Sequence, residues 1–466
     1  MSEFQPDMTL SAAANPLKEA LDGGKFVFLA ESSAPENESK LEAAVERLLP
    51  LSETMEKQSE LVGGLAVTDR YGAPWSAAEI AAAWPEAGRN RNLYYLSGAG
   101  RSPADVAGQL GIFANAGAEN IVHVSGEAGD LPLRACRMRN FCGCTAQLSA
   151  AGRLSDKFFP GAVFNPFHYD KDTVGASYAA LDGKIAAGAQ FIVTQSGWDM
   201  LQNQTVAWYL LKCKNFLPLI AHLTLLSPDR AERIIAGKVP GVRMTPAFGR
   251  LLERELRGSK AQFEAAQYRR IELQCAGCRL MGYSGVQIAG VDFPGKAQII
   301  AGRIRAAFQE FRSFEHWLDE YNAHQGGAEM DGGIGSYHLF DRVLRRDYPF
   351  DDPPQITAPE AVEYPWRERV NYRLKRFFFS RADRQRPGRD LLLKKLLAGC
   401  RGCEECTLPQ TGFICLRNCP KRLDAGPCGE VNENGGCPVS GTDCVFVRKL
   451  RCTAWRGQIP CLEQHR

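Results

Sequence analysis

Short runs rich in β-branched and aromatic residues recur along the first ~300 residues, and a helical stretch follows each one. Phe26–Ala30, Leu61–Val67, Leu93–Ser97 and Asn120–Ser125 begin the series, and Ala162–Phe167, Gln190–Gln195, Pro218–Thr224 and Val286–Val291 complete it. Amphipathic or Ala-rich stretches such as Ser39–Leu51, Pro103–Ala116, Thr173–Ala187 and Lys260–Met281 lie between them. Alternation of this kind implies a parallel sheet, because a helix must carry the chain back before each new strand. Eight units in about 300 residues suit an α/β fold of the (β/α)8 TIM-barrel type. A doubly wound open sheet is the competing arrangement.

The rest of the chain reads differently. Residues 313–390 are rich in Arg, Phe, Asp and Pro and read as an irregular connector with some helix, of which Val370–Ser380 could dock on the barrel. From Cys400 onward Gly, Pro and Cys dominate and no apolar period is visible, so side chains alone cannot build a core there. Ten of the sixteen cysteines lie in this segment, beginning Cys400-x2-Cys403-x2-Cys406 and continuing through Cys415, Cys419, Cys428 and Cys437. The division expected is a barrel over 20–312, a connector over 313–390 and a small cysteine-rich metal-binding domain over 391–466.

Composition narrows the classes. Of 466 residues 45% are apolar and the net charge is +3, so nothing electrostatic argues for nucleic acid. No run reaches the ~18 apolar residues of a membrane span, and Met1 to Lys25 lacks the apolar core of a signal peptide. A cytoplasmic protein is expected, in which cysteines serve as metal ligands and reduced thiols rather than disulfides.

In a barrel the working groups stand at the carboxyl ends of the strands. Those ends carry Glu31, Thr68, Tyr95 with Ser97, Glu127 or Asp130, Phe164 to His168, Gln195, and His222 with Thr224. A carboxylate such as Glu31 can act as a general acid if burial raises its pKa. A second carboxylate after strand four and the amide of Gln195 could fix a flat, hydrogen-bonding ring. His222, within an apolar run, reads as a core histidine. Cys275 and Cys278 read as structural, Cys213 as buried, and Arg269-Arg270 as a solvated face. Gly98-Ala99-Gly100-Arg101-Ser102-Pro103 begins like a dinucleotide fingerprint, but Pro stands where the third Gly belongs.

Several of these segments resemble methylenetetrahydrofolate reductases. Phe28-Leu29-Ala30-Glu31-Ser32-Ser33-Ala34-Pro35 is similar to that family's first strand, and Val67-Thr68-Asp69-Arg70-Tyr71-Gly72 to its Val-Thr-Tyr-Gly segment. Asn120 to Glu127 resembles the strand ending in Arg-Gly-Asp, and Lys184 to Gln195 resembles an aligned Lys…Ala-Gly-Ala…Thr-Gln. Cys419-Pro420-Lys421-x-Leu423-x-x-Gly426-Pro427-Cys428-Gly429 looks like the cysteine-rich domain attached to such reductases in acetogens and other anaerobes. The family's His-Leu-Thr is here Tyr95-Leu96-Ser97.

The resemblance implies a TIM barrel with a flavin, FAD or FMN, on its carboxyl face. Thr68, Tyr95, Ser97, Phe164, His168 and Lys184 fall where the family lines that flavin. It implies Glu31 as the general acid, with Gln195 and the strand-four carboxylate, Glu127 or Asp130, holding the pterin. It implies reduction of 5,10-methylenetetrahydrofolate to 5-methyltetrahydrofolate, a tetrahydrofolate substrate with the redox chemistry left to the cofactor. Electrons would come from NAD(P)H or from an electron-transfer protein partner through the cysteine-rich domain; a homo-oligomer is also compatible. A flavin-less relay or scaffold subunit and a folate-dependent methyltransferase with a corrinoid partner are the alternatives.

For the metal, Cys400, Cys403 and Cys406 have the spacing of three [4Fe–4S] ligands, with Cys419, before Pro420, a candidate fourth. Zinc is the alternative, on pairs such as Cys415/Cys419 and Cys428/Cys437.

Overall fold

In the computed structural model eight parallel strands close into a barrel in sequence order. The structure describes residues 15–126, 136, 140–325, 336–340, 344, 354, 356, 364–379 and 391–457, leaving aside 36, 37, 59, 71, 240, 404, 405, 424, 425 and 433. The strands are β1 (Val27–Ser33), β2 (Val62–Thr68), β3 (Leu93–Ser97), β4 (Asn120–Val124), β5 (Phe159–Phe164), β6 (Phe191–Thr194), β7 (Leu219–Thr224) and β8 (Gly285–Ala289). β1 pairs with β2 in the register Glu31↔Ala66 and with β8 in the register Leu29↔Gln287, which seals the cylinder. The open-sheet alternative is thereby excluded. Among the described residues no helix is long and apolar enough to cross a membrane.

Successive side chains of a strand face opposite ways, so the parity of a residue decides whether it meets the helices or the barrel axis. Phe28 and Ala30 pack outward under the helices, whereas Val27 and Leu29 join the inner cluster. The same parity turns Glu31 inward at the mouth. Leu93 and Tyr95 of β3, and Phe191 and Val193 of β6, also face the axis, which carries Gln195 inward just past the end of β6. Leu17, Ala20 and Leu21 of the helix Pro16–Asp22 belong to this inner cluster and stopper the floor. Asn15, which caps that helix, donates from Nδ2 to Asn120 Oδ1 at 2.8 Å, so a buried amide at the start of β4 is satisfied.

β5 begins three residues earlier than Ala162–Phe167 suggested. Pro166 has no N–H to pair, and Asn165 Oδ1 accepts from the Phe167 amide at 3.1 Å, turning the chain where the sequence still looked like strand. Phe159 stacks on Phe191 with centroids 4.8 Å apart, and a Cβ on Gly161 would lie 2.3 Å from atoms of the Phe191 ring. Gly161→Ala is expected to cost about 1–3 kcal/mol through overpacking, visible as a lowered thermal midpoint.

The connector holds the helices Phe314–Gln325 and Trp366–Phe379 in its described part. The second does not dock on the barrel as its apolar residues suggested: Tyr372 and Phe379 join Leu408, Phe413 and Cys452 in a cluster of the cysteine-rich segment. Ser380 lies outside the described residues. The helix Val445–Trp455 then lays that segment against the barrel helix Lys171–Ala186. A Cβ on Gly175 would meet the Leu450 side chain at 2.8 Å, and Arg451 pairs with Asp172.

Other expectations change as well. Arg270 is not solvated: it is 1% exposed and pairs with Glu255 at 2.8 Å, while Arg269 bridges Glu272, Glu310 and Glu320. Cys275 and Cys278 are buried within the helix Lys260–Leu280, where burial pushes both thiols well up and leaves them inert. Cys213 is only half-buried.

Candidate functional site at the barrel mouth

A cavity of about 850 Å³ opens at the carboxyl ends of the strands. Of the residues singled out from the sequence at the strand ends and as flavin contacts, Glu31, Gln195, Thr68, Tyr95, Ser97, Phe164, His168, Lys184 and His222 line it. Glu127 and its alternative Asp130 lie outside the described residues.

At its centre a polar chain crosses four strands, β3, β8, β1 and β7. The Tyr95 hydroxyl donates to Gln287 Oε1 at 2.7 Å, and Gln287 Nε2 donates to Glu31 Oε2 at 2.9 Å. The same Glu31 oxygen lies 2.6 Å from Nε2 of His222. His222 is therefore not a core histidine; the parity of β7 aims it into the mouth. Burial works to raise the Glu31 pKa. The charge and contact of His222, with Gln287 and the more distant Arg230, outweigh burial and hold the carboxyl down at about 2. This is opposite to the direction expected for a lone buried acid. Glu31 Oε2 and His222 Nε2 thus stand in close contact across the mouth. Burial and the Glu31 charge push the Tyr95 phenol well up, so it remains a donor.

The remaining lining residues hold their positions through protein contacts. Thr68 Oγ1 donates to Ser32 O at 3.2 Å, and the Ser97 amide donates to Asp69 at 3.0 Å. Asp69, its side chain 1% exposed, also pairs with Arg101. Lys184 Nζ donates to Val163 O at 2.6 Å, and burial lowers its pKa despite Cys144 nearby. Burial, with Arg243, lowers the His168 pKa to about 3, so the ring is neutral, and its Nδ1 has no hydrogen-bond partner in the structure. Phe164 is buried edge-on against Tyr178 at 5.0 Å. Gln195 takes the Ser196 amide on Oε1 at 3.1 Å and leaves its Nε2 toward Gly241.

The cysteine-rich segment forms part of the same wall. Lys421, Gly426, Pro427, Cys428, Gly429 and Glu430 all line the cavity. Lys421 Nζ donates to Gly126 O at 2.9 Å, just past β4, and to Glu430 Oε2 at 2.7 Å. Burial works against the Lys421 charge, but Cys428 and Glu430 offset it and hold the pKa up. Asn165 Nδ2 donates to Gly429 O at 2.8 Å, and Arg243 donates to Val431 O. A Cβ on Gly426 would stand 2.2 Å from that of Ala180, so only glycine permits this approach. Lys421, Glu430, Gln287 and Asp69 escaped the sequence reading. The parity of β8 was the available signal for Gln287, and none marked Glu430.

The thiols sort into two groups. Cys419, Cys428, Cys437 and Cys444 line a single cavity of about 140 Å³ on the far side of the Cys428 wall. Backbone amides point at these sulfurs, from Lys421 and Leu423 to Cys419, from Glu430 to Cys428, and from Phe446 and Val447 to Cys444. Cys415 instead interacts electrostatically with Cys400 and Cys403 and receives the amides of Arg417 and Arg401. Cys415, not Cys419, thus stands with the Cys400 run, and Cys444 joins the later cysteines. The 3-10 turn Leu416–Asn418 parts the proposed Cys415/Cys419 pair. Cys406 packs beside Cys415 in the apolar cluster around Phe413. Among the described residues no three metal-binding side chains already converge as a set. The donors are nonetheless right for a thiolate-bound metal: two groups of soft ligands, both served by N–H···S contacts. Cys452 is a core residue whose thiol faces Gly412 O, and Cys461 lies outside the described residues.

Residues 379–464 match the family described as methylene-tetrahydrofolate reductase C terminal. None of the curated proteins matches the chain. Among solved structures, an uncharacterized protein from Clostridium thermocellum that binds two copies of 5-methyl-5,6,7,8-tetrahydrofolic acid aligns at 12% identity with a TM-score of 0.44. It covers 63% of this chain and 98% of that one. A tryptophan synthase from M. tuberculosis aligns over the same shares at 12% identity and a TM-score of 0.33. At such values neither structure bears on function.

Proposed function

We propose that this chain, an eight-stranded barrel bearing a domain of the methylenetetrahydrofolate reductase C-terminal family, is a folate enzyme that reduces 5,10-methylenetetrahydrofolate to 5-methyltetrahydrofolate. One observation supports it above the rest. The matched domain closes over a barrel mouth in which Glu31 and Gln195, the acid and the amide the chemistry needs, face one cavity.

The reaction places a hydride on the bridging carbon and a proton on the amine that ring opening releases. Glu31, in contact with His222 at 2.6 Å between Oε2 and Nε2, is placed to deliver that proton. Tyr95 and Gln287 fix the Glu31 rotamer, so the proton is presented from one direction. Gln195 takes the hydrogen-bonding edge of the heterocycle. The docked tail covers one side of the mouth and narrows access of water.

The cavity has the volume of a cofactor site, and the six residues named for a flavin line it. Thr68, Tyr95, Ser97, Phe164, His168 and Lys184 would hold FAD or FMN, which would supply the hydride. In the tail, Cys400, Cys403, Cys406 and Cys415 would hold one metal centre, and Cys419, Cys428, Cys437 and Cys444 a second. Iron–sulfur centres there would suit electrons arriving from a protein partner, with NAD(P)H the alternative donor; zinc would only hold the tail together.

One observation favours a second reading, a flavin-less relay subunit. Thr68, Tyr95 and Lys184 already direct their polar tips to protein partners, and the tail enters the same space. An absorption spectrum with iron, zinc and flavin analysis on anaerobically purified protein decides between them. The expected result is flavin bands on a broad absorption that bleaches with reductant. Iron without flavin would favour the relay, and zinc without iron would remove the electron route.

A further inference from the structure

We propose that Glu430, supplied by the cysteine-rich domain, is the carboxylate that reads the substrate's heterocycle opposite Gln195. The inference rests on the folate reading of the site and adds a residue from outside the barrel. A pterin presents an amidine-like edge of N–H donors beside a carbonyl acceptor. A carboxylate and a primary amide are the pair that answers such an edge, and a buried pterin needs both satisfied.

From the barrel, Gln195 reaches this patch. Among the described residues a carboxylate reaches it from the tail. Gly241, whose φ of 70° favours glycine, is the point where they meet. A Cβ there would lie 2.9 Å from Gln195 Nε2, 3.7 Å from Gly429 O and 3.9 Å from Glu430 Cγ. Amide and carboxylate thus flank one patch of the cavity wall. The Glu430 side chain is 11% exposed, its Oε2 accepts from Lys421, and its Oε1 is buried with no hydrogen-bond partner in the structure. An acceptor left open at a cavity wall wants a donor.

The mounting is rigid. Lys421 ties Glu430 to Gly126 at the exit of β4, and Asn165 holds the adjacent Gly429 carbonyl from β5. Glu430 is therefore delivered to the edge of the mouth where the sequence led us to expect a carboxylate from strand four. The substrate site is complete only when the tail is docked.

The test is tetrahydrofolate binding to the full-length protein and its Glu430→Gln variant, measured by calorimetry alongside metal content and thermal midpoint. Glutamine keeps the size and can still accept from Lys421, but loses the charge. The expected result is binding weaker by about tenfold to a hundredfold, the scale of a lost charged hydrogen bond, with metal content and midpoint unchanged. A folate analogue lacking the 2-amino group should bind the wild type correspondingly less well and be nearly indifferent to the substitution. Wild-type binding that matches the variant's overturns the role of Glu430 while leaving the folate reading intact, as does a wild type indifferent to the missing amino group. A wild-type protein that binds no tetrahydrofolate overturns both.

Discussion

Replacing Glu31 with glutamine lowers folate turnover by about 10²–10⁴-fold, the range for a positioned proton donor, and leaves the barrel folded. The amide is isosteric and can still accept from Gln287, so the strand ends keep their packing. It has no carboxyl to carry a proton beside His222. Turnover of the oxidative half-reaction should fall while reduction of any bound flavin by its donor proceeds at the wild-type rate; equal losses in both would assign Glu31 a structural role. The pair also has a pH signature. Glu31 has a folded pKa of about 2 against an ordinary 4.5. Its contribution to stability is thus present above about 4.5 and lost as pH falls toward 2. Glu31→Gln should flatten that part of the acid-unfolding curve. His222→Asn should do more: with the imidazole gone, burial is opposed only by Gln287 and Arg230 and the Glu31 pKa rises, readable as a carbonyl band in infrared difference spectra at higher pH than in the wild type.

Replacing Cys444 with alanine removes the metal of the inner thiol group and releases the tail from the barrel. The clusters around Val431 and Phe413 are small, so with the proposed metals bound the segment's order would rest largely on metal–thiolate bonds. Structural zinc in small domains supplies roughly 10–16 kcal/mol of apparent binding free energy, and losing one of four ligands forfeits most of it. Metal content should drop by one centre. Limited proteolysis should cut after the helix Leu391–Ala398, and tetrahydrofolate affinity should fall with the Glu430 contact, while the far-ultraviolet dichroism of the barrel is kept. Cys452→Ala is the contrasting variant: its thiol is packed in the core, so it should cost stability without changing metal content. If Cys444→Ala retained full metal, the inner group would not be a site.

What could be read in advance follows the range of the physics. Strand positions and inward parity are local, so Glu31, Tyr95 and Gln195 could be aimed from the sequence, and β5 slipped only because Asn165 and Pro166 make a turn inside an apolar run. The environment of Glu31 is not local. Its partners His222 and Gln287 come from strands seven and eight, the second of them 256 residues away, and they reverse the direction of its pKa. Arg270 looked like surface for the same reason, since Glu255 and Gln325, which bury it, belong to other elements. The grouping of the cysteines was hidden because spacing constrains neighbours and says nothing about which turn separates Cys415 from Cys419. Glu430 carried no mark, because its significance lies entirely in where the tail docks.

That docking face has a consequence for how such a protein is assembled. Among the described residues it includes hydrogen bonds from Asn165, Arg243 and Lys421, an ion pair at Asp172, two glycines that permit close approach, and an apolar patch of Ala176 with Val431, Phe446 and Val447. Its polar contacts fix geometry and add little affinity between separate chains. Joined by a linker, the same face works at an effective concentration in the millimolar range. Covalent fusion is then what keeps a weak lid shut, and its length sets how often the mouth stands open.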